Sequence, residues 1–210
     1  MDNIKDERPW IVKSGTTILK QPFFELINFT KWNDEMGKFY KRINETKDER
    51  SFVILMALVV EFHIDAVIKA FLPNSKELLE DTSFTFSLKV NLLKSLNLIP
   101  NRIFQFADIV RKIRNEFAHK IEIDRIIELN SYTKGKKLVD RLDNLCKQYE
   151  NHLTYSKSNQ ENYREKYKDI ADFANNALRE YEPSILLLRQ ELEKREFIEK
   201  LINENNFKIL

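Results

Sequence analysis

From Phe52 to Val60 the chain reads F-V-I-L-M-A-L-V-V, nine apolar residues in a row. A helix built from such a run has no face left for water, so other elements must cover it on several sides. The periodicity around it predicts one helix from Ser51 to Leu72, stopped by Pro73 and central to a bundle. With only 3 Gly and 5 Pro in 210 residues, turn residues are too scarce for a β-rich fold, and the fold class expected is all-α. A hydrophobic content of 42% suffices for one core of ordinary size, with or without appended helices.

Composition narrows the classes of function. The net charge of +2 gives no bulk attraction to nucleic acid, so any such contact must come from local clusters. The single Cys146 excludes an internal disulfide framework and argues against thiolate metal chemistry. The start, M-D-N-I-K-D-E-R-P-W, lacks the apolar core of a secretory signal. The apolar run Phe52–Phe62 reads as too short to span a bilayer and ends on Glu61, so a cytoplasmic protein with no membrane partner is expected.

Three regions follow from the pattern: an N-terminal arm and aromatic-rich segment (1–50), a helical core (51–153) and a C-terminal helical extension (154–210). Pro9 and Gly15 interrupt residues 1–20, and Phe23, Phe24, Ile27, Trp32, Phe39 and Tyr40 belong to one or two helices ending near Ile43. The polar run 44–50 reads as a connection. After Pro73, Ser75 is expected to cap a short K-E-L-L-E turn. A helix is expected over Ser87–Leu96 and another, capped by Asn101, to about Lys120. Residues 121–129 are ambiguous, 131–137 reads as a loop, and Leu138–Leu153 as a helix. The polar stretch 154–162 is a candidate hinge. Tyr163–Tyr181 and Ser184–Leu201 read as two helices separated by Pro183, the second with an apolar stripe of Ile185, Leu188, Leu192, Phe197 and Leu201 suited to packing or dimerisation.

The polar residues on these helices offer few catalytic constellations. Glu61, His63 and Asp65 could form a ligand set, but one helix supplies few ligands, and pairing with basic groups on neighbouring helices is the preferred reading. Lys134, Lys136 and Lys137 are read as a solvated loop. No phosphate loop, nucleophile elbow, zinc spacing or helix-turn-helix is present, and no cofactor or metal is expected. The informative stretch is Arg111–Lys120, R-K-I-R-N-E-F-A-H-K, in which Ile113, Phe117 and Ile121 recur at i, i+4, i+8. Asn115 and His119 fall on one side of that helix with Arg111 in the same row. Arg114 lies roughly 140° round from His119 at 3.6 residues per turn. Bringing Arg114 and His119 into one site therefore calls for a second facing surface, and hence a dimer.

Arg114-Asn115-Glu116-Phe117-Ala118-His119 resembles the R-x4-6-H signature of HEPN domains, including the polar residue directly after the Arg. The wider run from Phe84 to His119 is similar to the mannitol-operon repressor family, which pairs a K-x-x-L-L-x-x-L-x-L-I helix with an I-R-x-I-R-N-x-F-A-H helix. The resemblance extends over roughly Phe52 to Leu145. It implies a HEPN-like antiparallel helical bundle with extra terminal helices, a homodimer through the motif helix, and RNA as substrate.

Metal-independent RNA cleavage needs a proton taken from the 2′-OH, a proton given to the 5′-oxygen, and charge stabilised on phosphorus. Imidazole can serve both proton transfers near neutrality. A guanidinium can hold two phosphate oxygens without losing its charge. His119, Arg114 and Asn115 are thus the candidate acid/base, phosphate clamp and orienting group, and Arg111 and Lys120 candidate substrate contacts. An endoribonuclease, acting as a toxin or antiphage effector beside an antitoxin or regulatory protein, is one expectation. The other is a non-catalytic mannitol-repressor-like regulator in which the motif serves the interface.

Overall fold

The computed structural model describes residues 29–72, 74–150 and 162–204, and every regular element among them is helical. In chain order these are α1 (Phe29–Glu45), α2 (Glu49–Phe71), α3 (Lys76–Glu80), α4 (Phe86–Leu96), α5 (Asn101–His119), a 3-10 helix (Ile126–Ser131), α6 (Thr133–Gln148) and α7 (Tyr163–Glu204). The arm 1–20, Phe23, Phe24, Ile27 and positions 154–161 of the candidate hinge lie outside the described residues.

The all-α class holds, with α2 at the centre. By length and composition α2 could cross a bilayer, because the apolar stretch continues past Glu61 further than the Phe52–Phe62 run indicated. More than half of that stretch is buried in the protein, against α7 and α5 above all and against α4 and α1 as well. Phe52, Val53, Met56, Val60, Ile64 and Val67 share one core with Met36 and Ile43 of α1 and Ile170, Ala174 and Leu178 of α7. Tyr167 of α7, fully buried, places its hydroxyl 3.0 Å from the Val53 carbonyl and 3.3 Å from that of Val110, within donating distance of both α2 and α5. Phe106 meets Tyr149 and Phe173 edge-on at 4.9 and 5.0 Å, closing the α5 side.

How the helices end explains most departures from the pattern. Helices commonly stop on a glycine that turns left-handed, but this chain has almost none to spend. Among the described residues only α4 uses a left-handed stop, at Asn97 with φ of 50°. At the ends of α2 and α5 and in the connection after α1, arginines from distant elements bind carbonyls instead. Arg164 donates to Thr46 and Lys47 beyond α1, Arg189 to Lys69 and Ala70 at the end of α2, and Arg50 to Phe117 and Lys120 at the end of α5. At the other end of α2, Asp48 caps by accepting from the Ser51 amide at 2.8 Å. The run 44–50, expected as a connection, therefore holds the last two residues of α1 and the first two of α2.

Several local expectations are corrected. Ser75 precedes α3 without a side-chain cap bond, and Asn101 is the first residue of α5 rather than its cap, Pro100 holding that position. The stretch 131–137 is not a loop, since α6 begins at Thr133, and its helix ends at Gln148 rather than Leu153. Gly135 permits the early start: a Cβ there would overlap the Leu129 carbonyl oxygen, so only glycine lets α6 lie against the 3-10 helix. Pro183 does not separate one helix from another; α7 runs through it. Burial of Tyr181 and Ile185 on either side pins the backbone, and the Ser184 hydroxyl donates to the Glu180 carbonyl at 3.4 Å.

His63 of α2 is 2% exposed, and burial, helped by the Arg179 charge, lowers its pKa from 6.5 to about 4. Above 6.5 the imidazole is neutral folded or unfolded, and it adds nothing to the pH dependence. Between 6.5 and about 4 only the unfolded chain takes up the proton, so stability falls with pH, by up to about 3 kcal/mol. Unfolding free energies from urea titrations across this range should drop by about that much more in the wild type than in His63→Gln; equal drops would assign the acid loss to other groups.

Candidate functional site

The motif helix α5 carries Asp108, Lys112, Asn115 and His119 at i, i+4, i+7 and i+11, one stripe along its outer side. Ile113 and Phe117 face the opposite way and are fully buried, as their spacing predicts. Ile121 does not continue that face. The helix ends at His119, and Ile121 lies in the following turn, 89% exposed.

His119 is the exposed last residue of α5. Arg114 is half-buried on the flank and reaches sideways: one guanidinium nitrogen donates to the Asn115 side-chain oxygen at 3.2 Å, the other to Glu61 of α2 at 3.3 Å. Glu61 in turn accepts from Lys89 of α4 at 3.0 Å, and Lys89 also pairs with Asp65 at 2.9 Å. Lys89 is buried, and an isolated ammonium there would be costly; two carboxylates offset that cost. Glu61 and Asp65 are thus partners of basic groups, as the preferred reading has it, and among the described residues no three His, Cys, Asp or Glu side chains gather around a common point. Arg114 and Asn115 come together within one chain, and Arg114 bonds to Glu61 instead of His119.

The turn after His119 is held by Arg50. Its guanidinium donates to the carbonyls of Phe117 at 2.5 Å, Lys120 at 2.7 Å and Ile121 at 2.8 Å, to that of Ile123, and to Asp124 at 3.4 Å. A planar fork with five N–H donors suits this set of converging oxygens, where an ammonium would not. Beside it Glu49 accepts from the Ile126 amide at 2.6 Å, docking the 3-10 helix. Lys120 lays its ammonium 3.0 Å from the centroid of the Tyr132 ring. Tyr132 donates to the buried Glu116 at 3.0 Å, and Lys134 pairs with the same carboxylate. Burial would raise the Glu116 pKa, but these bonds outweigh it and hold it below the ordinary value.

Arg111 donates to Asp108 at 2.8 Å, in a cluster that also takes in Lys112 and Arg141. Burial pushes the Cys146 thiol up to about 12, which leaves no thiolate at neutral pH. No family model, curated protein or solved structure matches the chain.

Sequence reasoning singled out Arg114, Asn115, His119, Arg111 and Lys120 but missed Arg50, Lys89, Glu116 and Tyr132. The available signal was indirect: α5 ends without glycine or asparagine at its C-terminus, so its carbonyls had no left-handed cap and needed other partners. Replacing Arg50 with Ala should lower stability by about 2 kcal/mol, in line with hydrogen bonds from a charged donor. Amide exchange at Lys120 and Ile123 should quicken, and Arg50→Lys should restore only a fraction of the loss. Unchanged exchange in Arg50→Ala would show that the turn holds itself.

Proposed function

We propose that this chain is a metal-independent endoribonuclease of the HEPN type, a cytoplasmic homodimer built on an antiparallel bundle with extra terminal helices, acting as a toxin or antiphage effector. The observation that carries this reading is the accessibility of His119, at the end of a helix whose carbonyl turn is rigidly held, on the same stripe as Asn115 and next to the Arg114 flank. In one chain Arg114 and His119 diverge around the helix. Two copies of α5 facing each other supply both groups to one phosphodiester.

In that composite cleft one imidazole takes the proton of the 2′-OH as its oxygen attacks phosphorus. The other gives a proton to the departing 5′-oxygen, leaving a 2′,3′-cyclic phosphate and a 5′-hydroxyl. Arg114 balances the charge on the non-bridging oxygens. Asn115, bonded to Arg114, orients the guanidinium. Glu61 keeps Arg114 extended and neutralised until a phosphate competes for it.

A second reading has one specific observation in its favour. Arg114 is already paired inside its own chain, and Ile121 stands exposed beside the motif, as in an interaction module whose polar ridge meets a partner. The two separate on cleavage. Purified protein should cut RNA in EDTA to 2′,3′-cyclic phosphate ends, and His119→Ala should slow this by about 10²–10⁴-fold, the usual worth of a general acid/base. Cleavage that requires Mg²⁺, or that survives the substitution, overturns the nuclease. No cleavage, together with weaker dimerisation in His119→Ala, establishes the interaction module.

A further inference from the structure

About three turns before His119, a single carboxylate gathers three cations. Asp108 of α5 accepts from Arg111 at 2.8 Å through one oxygen, and through the other from Lys112 at 2.9 Å and from Arg141 of α6 at 2.8 Å. Arg141 also donates to the Gln105 carbonyl at 3.4 Å. Burial would raise the Asp108 pKa, but hydrogen bonds from Arg111, Lys112 and Arg141 outweigh it and hold the carboxyl well below the usual range. The acid is therefore charged at any working pH, and the cluster sums to one negative and three positive charges. One cation from α6 would have sufficed to tie α5 to α6. The two others, Arg111 and Lys112 on α5 itself, repel it and each other.

We propose that Arg111, Lys112 and Arg141 form a phosphate subsite for the backbone of single-stranded RNA. This rests on the nuclease reading above and adds where the strand runs. Lys112 and His119 lie on one stripe of α5, seven residues apart, or about 10 Å at 1.5 Å per residue. A stacked strand covers that distance in about three phosphates at 3.4 Å each. The scissile phosphate at His119 and a phosphate about three nucleotides along, at the cluster, are then contacts of one strand lying along the helix. The surplus of two charges, which the near-neutral chain shows nowhere in its bulk composition, is placed where a polyanion has to pass. Each guanidinium keeps N–H donors beyond those given to Asp108, in the fork geometry that suits phosphate oxygens. The Glu61 side of the same helix is different: Lys89 and Arg114 are there matched by Glu61 and Asp65, leaving no surplus.

The test uses the full chain and a fluorescent 2′-O-methyl RNA, which binds but has no 2′-OH to attack. Anisotropy titrations over a series of salt concentrations give the slope of log affinity against log salt. A single strand contributes about 0.7 to that slope for each neutralised phosphate. Lys112→Gln/Arg141→Gln should bind about tenfold more weakly and show a slope shallower by about 0.7, the loss of one such contact. Asp108→Asn removes the competing anion and should bind at least as tightly as wild type, with a steeper slope. A purely structural cluster gives the opposite pattern: no slope change in the double variant, and an Asp108→Asn protein that binds more weakly as its melting temperature falls. That pattern overturns the subsite, as does a wild type that does not bind the RNA. Cleavage of unmodified RNA by wild type and His119→Ala is scored separately. His119-dependent cleavage with unchanged slopes sinks the subsite alone, and altered slopes without cleavage sink the nuclease alone.

Discussion

The α2 surface from Phe52 to Ile68 can leave water only if helices lie on several of its sides, and α5 and α7 are the two that close over most of it. Tyr167 sits where they meet, its ring in the core and its hydroxyl between a carbonyl of α2 and one of α5. Its phenol titrates far above the ordinary range because burial disfavours the anion, so it remains a donor throughout. Once α5 is held against α2 in this register, the acids in the second half of α2 face the flank of the motif helix. Glu61 then meets Arg114, and Lys89 arrives from α4 to balance the carboxylates. The direction in which Arg114 points is thus a product of core packing one layer below.

Electrostatically, α5 has two unlike neighbourhoods. Around Glu61 the cations and carboxylates are equal in number, as suits a partly buried layer where unpaired charge is expensive. Around Asp108 the cations prevail, and Lys112 and Arg141 are exposed enough for water to share the cost. One helix therefore offers a balanced flank and a positive flank, and a ligand of high negative charge can tell them apart.

Much of this was legible in the residues. The apolar run fixed α2 at the centre, and the i, i+4 spacing placed Ile113 and Phe117 inward and His119 outward. Features that depend on partners far along the chain were not. Nothing in K-D-E-R announces that Asp48, Glu49 and Arg50 cap α2, dock the 3-10 helix and hold the end of α5, because the groups that Glu49 and Arg50 serve lie about seventy residues away. Ile121 kept the helical period but fell past a helix end set by Arg50. Pro183 and Gly135 are breakers by intrinsic preference, yet burial on both sides of the one and close backbone approach at the other override that preference.

Stopping helices with arginines instead of glycines has a consequence for how order is acquired. A left-handed glycine ends a helix by itself, in a short peptide as well as in a protein. Arg50 and Arg189 reach across 67 and 119 residues to do the same work, and Arg164 holds the connection after α1 across 118. Each helix is then frayed until its distant neighbour has docked, and severing one contact loosens two elements at once. Such a chain gains or loses its shape as a single all-or-none unit, with few stable halfway forms.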